Sequence, residues 1–434
     1  MILERRLAVS RGLAGLAAML LLPVCLGLGG CRRAPVPGVP APGEGTQAAS
    51  DNWTQFRGPA GNGVWSGAGH ETTWSGKLGQ GILWSSPELL GGKSSPVLWQ
   101  DRVFVTGGDP ERRVVYCLDA NTGRVVWERV AGKSQAGDQQ FATVGYAACS
   151  PATDGERVYA MFTDGTLAAY DMAGRAVWSR HFDLSENTYG HASSVVVHQG
   201  RLLLQLDQES EPKRRSVLLA LDSSTGRTLW QTPRDVPSSW STPVVVSTGE
   251  REELITCATP WVISYSPDSG AELWRAKCLG YEVVSSATMA GDLVVAASEG
   301  GCCAAIRPGG TGDVTRTRVV WKYEDDLPNV CSPVGDDRHV FMLSSTGDLT
   351  CLAADSGRRE WFKALGDPCS ASPILAGRKL YVLSDLGNLF VVDVVRGDVV
   401  GRGSVPEGCQ ATPAFGGEAV YVRGETHVYC LGRR

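Results

Sequence analysis

The sequence predicts an all-β chain, an eight-bladed β-propeller built from four-stranded antiparallel blades and closed by pairing its N- and C-terminal strands. Three observations predict this. A turn closed by Trp recurs as "LDANTGRVVW" (Leu118–Trp127), "LDSSTGRTLW" (Leu221–Trp230), "YSPDSGAELW" (Tyr265–Trp274) and "LAADSGRREW" (Leu352–Trp361). The closing residues Trp84, Trp127, Trp178, Trp230, Trp274, Trp321 and Trp361 lie 40 to 52 residues apart, the length of one propeller blade. Eight units open alike, at Ser94, Cys149, Ser193, Ser241, Ser285, Cys331, Ala371 and Ala411. Each opening is a short strand, a polar turn and a second β-branched or aromatic strand. Seven blades is the competing count, if the unit at Ser285 is degenerate.

Each element of the motif has a physical reason. Asp and Asn bond their own turn backbone, and Gly supplies a positive φ. The indole that follows is expected to fill the wedge between neighbouring blades, contributing on the order of 2–3 kcal/mol per seam. The seventh unit ends "GDVVGRGS", with Val400 near the Trp position, so its seam is expected to be weaker. The last unit stops at "VYCLGRR" without a closing strand, while "GILWSSPEL" (Gly81–Leu89) has a closing Trp but no opening. The two halves should complete one blade and hide the edges that an open ring exposes. The partner of the N-terminal strand should be the strand at Ala419–Arg423 or, preferably, that at Thr426–Cys430.

Residues 1–30 read as a signal peptide: a basic start, then an apolar run from Gly12 to Leu28, whose length and position suit a secretory signal better than a membrane-spanning helix. "LGGC" (Leu28–Cys31) resembles a bacterial lipobox, which implies cleavage before Cys31 and its acylation. An ordinary signal with a chance Cys, or an uncleaved anchor, is the alternative. Residues 31–50 are rich in Pro and Gly and read as a solvated tether, leaving 51–434 as the propeller. The formal net charge is −5, and no basic run follows the tether, which argues against nucleic acid as a partner.

The "LDxxTGxxxW" repeats resemble the tryptophan-docking motifs of the pyrroloquinoline quinone (PQQ) propeller superfamily, and "NWTQFRGPAGNGVWSG" (Asn52–Gly67) resembles the leader of its dehydrogenase-like members. The superfamily includes quinoprotein dehydrogenases and BamB lipoproteins of the outer-membrane barrel-assembly machinery. The resemblance implies either a scaffold that binds an envelope protein or peptide through its inter-blade loops, or an oxidoreductase using PQQ with calcium. A channel-mouth binder of small sugars or peptides is a third class. No nucleophile elbow, phosphate loop or paired catalytic carboxylates stand out. The scaffold is therefore the expectation: a monomer without a cofactor, touching the membrane only through its lipid, at the periplasmic face of the outer membrane.

The chain has 13 cysteines. Cys302 and Cys303 are adjacent, as in the disulfide that stacks on the quinone in many dehydrogenases. Strand alternation should point their sulfurs apart, so no such role is expected. Cys117, Cys351 and Cys430 share one small-residue repeat position. Cys369 and Cys409 share another near the axis; they are channel candidates, as two free thiols or as a disulfide tying units seven and eight. His191, entering an inner strand in "TYGHASS", is the remaining channel candidate.

Overall fold

The computed structural model describes residues 51–67, 81–133, 144–209 and 215–432. Cys31 and the residues read as signal and tether lie outside the described residues. The strands form eight sheets, one for each predicted unit, with the innermost strand nearest the axis. Blade one is typical: Val97–Trp99, Arg102–Gly108, Arg112–Asp119 and Val125–Lys133, each antiparallel to the next. The unit at Ser285 is a full blade, Thr288–Ala290, Leu293–Ala297, Cys303–Ile306 and Val319–Tyr323, which settles the count at eight.

Blade eight is shared between the chain ends. Ala414–Gly416, Ala419–Arg423 and Val428–Leu431 come from the C-terminus, and Ile82–Ser85 adds the outer strand. Trp84 stands opposite Cys430 just as Trp127 stands opposite Cys117 and Trp361 opposite Cys351. The shared cysteine position is thus the place across from an indole, where a small side chain is needed; Ala220 and Ala305 serve the same purpose against Trp230 and Trp321.

The tryptophans dock forward onto the next blade. The indole N–H groups of Trp84, Trp127, Trp178, Trp230, Trp321 and Trp361 donate to the carbonyls of Ala120, Met172, Ser223, Pro267, Ala354 and Val394, at 2.8–3.2 Å. Each accepting carbonyl lies in the turn before the next blade's outer strand. The Gly of that turn lies flat against the indole. At Gly123 (φ +72°) a Cβ would come 2.4 Å from Trp84 Cε3, so backbone and packing both require glycine there.

Two seams depart from this rule. Trp274 donates instead to Glu253 Oε2 in its own blade, at 2.6 Å. The facing connection of blade five is an excursion whose Gly312–Asp313 pairs in parallel with Trp274–Arg275. In blade seven the register sets Gly401, rather than Val400, opposite Val391 in the Trp position, and Val400 occupies the bulge before it. The blade it faces has no turn there, because its third and fourth strands come from opposite ends of the chain. An indole would have nothing to dock on.

A candidate ligand cavity on the propeller axis

The leader, residues 51–66, crosses the axis and touches every blade. Trp53 exchanges backbone hydrogen bonds with Leu98 in blade one, and Thr54 O accepts from Thr153 N in blade two. Gln55 Oε1 accepts from Val197 N in blade three, and Gly61 lies against Val244 in blade four. The Arg57 guanidinium donates to Ala287 O (3.2 Å) in blade five and to Pro333 O in blade six. Val64–Trp65 pairs in parallel with Leu375–Ala376 in blade seven. Trp53 and Trp65 pack on Phe415 of blade eight, with ring centroids 5.8 and 6.3 Å away. Arg57 is fully buried among carbonyls, and desolvation pulls its pKa down to about 9.

The leader makes a floor, and above it lies a cavity of about 320 Å³. Phe56 forms the base. The inner strands supply the wall in two tiers, because in an extended chain every second residue faces the same way. The lower tier is a ring of hydroxyls, one per blade: Ser95, Ser150, Ser194, Thr242, Ser286, Ser332, Ser372 and Thr412. Around this ring the backbone N–H of one member donates to the hydroxyl of the next at 2.9–3.0 Å, in seven of the eight steps. The upper tier, two residues earlier in each blade, is Lys93, Ala148, Ala192, Trp240, Val284, Val330, Ser370 and Gln410.

Tyr189 and Glu282 stand higher on the wall. Trp240 is fixed by its N–H, which donates to Asn187 Oδ1 (3.0 Å) and Gly190 O (2.9 Å), and by the Tyr189 ring at 5.4 Å. The Glu282 carboxylate raises the pKa of the Tyr189 phenol. Burial lowers the pKa of Lys93, with Asp385 opposing. The open face also carries Tyr281 and Leu386, which are 77% and 61% exposed. A second, glycine-lined recess of about 380 Å³ adjoins the cavity through Lys93 and Gln410, with Asp385, Cys409 and Glu425 on its walls.

The predicted channel residues lie just off this wall. His191 is 1% exposed beside Ala192, and burial holds its pKa down at about 4. Cys369 and Cys409 occupy the equivalent position beside Ser370 and Gln410. Both are free, buried thiols whose pKa burial raises to about 12. Cys369 packs in the core between blades six and seven, and Cys409 borders the second recess. Cys302 and Cys303 are free and fall in different core clusters, as alternation requires. Sequence reasoning did not single out Phe56, Lys93, Tyr189, Trp240 or Glu282. Trp240 carried a signal: it stands outside the regular comb of closing tryptophans, two residues before a ring hydroxyl.

The quinone of the dehydrogenases is a flat tricarboxylate held with a cation, and the cavity lining does not fit it. Among the described lining residues Lys93 is the single cation and Glu282 the single carboxylate, and they belong to blades on opposite sides of the ring. The adjacent cysteines are far from stacking over the cavity.

No curated protein matches the sequence. Among solved structures the chain is similar to BamB from Moraxella catarrhalis, with TM-score 0.60 and 15% identity over 81% of this chain and 97% of that one. It is also similar to the quinohemoprotein alcohol dehydrogenase of Comamonas testosteroni, with TM-score 0.69 and 13% identity over 89% and 82%. A europium-containing methanol dehydrogenase gives TM-score 0.64 and 12% identity over 88% and 98%. At these identities the likeness shows the fold alone. The family model for outer membrane protein assembly factor BamB matches residues 59–233, 213–331 and 315–431. Those matches span nearly the whole propeller, and the chain belongs to that family.

Proposed function

We propose that this chain is a non-catalytic binding propeller of the cell envelope, anchored through acylated Cys31, whose open face holds a segment of another envelope protein. One observation carries the reading. The axial cavity is sealed on one side by the leader, and the wall of its open side carries Trp240 and Tyr189, packed ring to ring. Fixed aromatic rings above a collar of hydroxyls combine the apolar contact and the polar partners that a bound peptide segment requires. BamB-like work in outer-membrane assembly is the concrete form of this reading, and family membership supports it.

Site-specific photo-crosslinking tests it in cells. A crosslinker at Tyr281 or Leu386 should give discrete protein adducts. One at Val177, exposed on an outer strand, should give none of these. Adducts confined to the outer-strand position would overturn the reading. So would saturable binding of PQQ plus calcium to the purified protein.

A further inference from the structure

Blade six departs from the repeat at one place. In every blade but one, a bulge residue immediately precedes the Trp of the outer strand, and in blade seven it precedes Gly401. It is apolar in seven blades: Leu83, Val126, Val177, Leu229, Leu273, Val320 and Val400. In blade six it is Glu360. The bulge turns two consecutive side chains toward the same face of the sheet, so Glu360 joins Cys351, which stands opposite Trp361. His339 lies two residues before Phe341, the other cross-strand neighbour of Cys351, and so shares that face. Cys recurs at this position in blades one and eight, but there Arg102 and Ala419 replace the His and Val126 and Leu83 replace the Glu.

The three side chains converge. One ligand atom from each lies within 4.8 Å of the others. His339 Nε2 is 3.4 Å from Glu360 Oε2. The other ring nitrogen, Nδ1, lies 3.2 Å from Asp336 Oδ1, and Asp336 is itself fixed by accepting the backbone N–H groups of Arg338 and His339. A carboxylate on Nδ1 selects the tautomer that leaves Nε2 free as a ligand. Arg358 holds the other oxygen of Glu360 at 3.2 Å. The thiol is buried and His339 and Glu360 are partly exposed, so the cluster has one wet side for a water ligand.

We propose that His339 Nε2, Cys351 Sγ and a Glu360 oxygen bind a divalent cation of the zinc class, with water in the fourth position. An imidazole, a thiolate and a carboxylate make a set that favours zinc over calcium or magnesium. Tetrahedral bonds of about 2.0–2.3 Å require ligand atoms roughly 3.3–3.8 Å apart; the His339–Glu360 pair, at 3.4 Å, already meets this, and the Cys351 sulfur lies within 4.8 Å of both. Binding releases the Cys351 proton to solvent, so affinity falls as pH falls.

The test is titration of the purified full-length protein with Co²⁺, then displacement by Zn²⁺. We expect a thiolate-to-cobalt absorption band at one equivalent, which zinc abolishes. Glu360→Val and Cys351→Ala each restore a residue type that other blades carry at that place, so both should fold with an unchanged melting temperature. Each should lose the band. Asp336→Asn should weaken binding by about 10–100-fold. The proposal is overturned if the wild-type protein shows no thiolate band, or if the band and its affinity persist in Cys351→Ala.

Discussion

Trp84 and Gly123 come from the two sides of the seam where the ring closes, and the indole lies so near the glycine that a methyl group there would sit 2.4 Å from Cε3. The Trp84 N–H, donating to Ala120 O at 2.9 Å, holds the ring in that position. The same pair of contacts recurs at five further seams. Closure between chain ends therefore uses the geometry of any interior seam.

Gly123→Ala should destabilise the protein by about 2–3 kcal/mol, from overlap with the indole and from the left-handed backbone. Gly200→Ala separates the two causes. Gly200 has φ +75° but nothing within 4 Å of an added Cβ, so it should show the smaller, backbone part alone. Denaturant unfolding of both variants measures the difference, and equal losses would refute the packing argument.

Deleting Gly81–Leu89 removes the outer strand of blade eight and leaves Val428–Leu431 as a bare edge. Aggregation, or a loss of several kcal/mol, is expected, large against a typical domain stability of about 5–15 kcal/mol. Size-exclusion chromatography with thermal melting checks it. A monomer with an unchanged melting point would contradict closure by this strand.

His191 should make stability depend on pH. Its pKa is about 4 in the fold, against 6.5 for an ordinary histidine, because burial disfavours the charged ring. Below pH 6.5 the unfolded chain takes up a proton that the folded chain refuses. The contribution is therefore complete above pH 6.5 and is lost as pH falls toward 4, by up to about 3 kcal/mol at ~1.36 kcal/mol per pH unit. Unfolding curves of the wild type and His191→Gln between these limits should differ in slope. Parallel curves would show that His191 does not titrate this way.

Cys31→Ser should prevent acylation and move the protein from the detergent fraction to the soluble envelope fraction, or leave an uncleaved precursor. Metabolic labelling with a fatty acid reads this directly. Label in the variant would refute the anchor.

The architecture was legible because the residues that build it repeat. Trp recurs in seven of the eight blades and meets a docking Gly at six seams, and each residue has one physical task, so the comb of spacings encodes the sheets. The cavity was not legible for the opposite reason. Its upper tier runs Lys, Ala, Ala, Trp, Val, Val, Ser, Gln around the ring, with no composition in common. Its floor is Phe56, which is remote in sequence from every strand above it. His191, Cys369 and Cys409 marked the right segments, but in an extended chain the residue facing the axis is the next one along, Ala192, Ser370 or Gln410. The missing Trp of blade seven was visible as a gap. Its cause, a facing blade assembled from two chain ends, is a property of closure that no local window contains.

The hydroxyl ring has a rotational sense. Ser150, Ser194, Thr242, Ser286, Ser332, Ser372 and Thr412 each use a lone pair on the N–H of the preceding blade. Among the described residues none of the seven gives its own proton to a protein partner. Each therefore has a proton to offer inward, and the collar presents donors at nearly every azimuth. A guest carrying oxygen acceptors would be held equally well at many angles about the axis. For such a guest the collar would set depth and not rotation, as a bearing does, and the asymmetric upper tier would be left to choose its orientation.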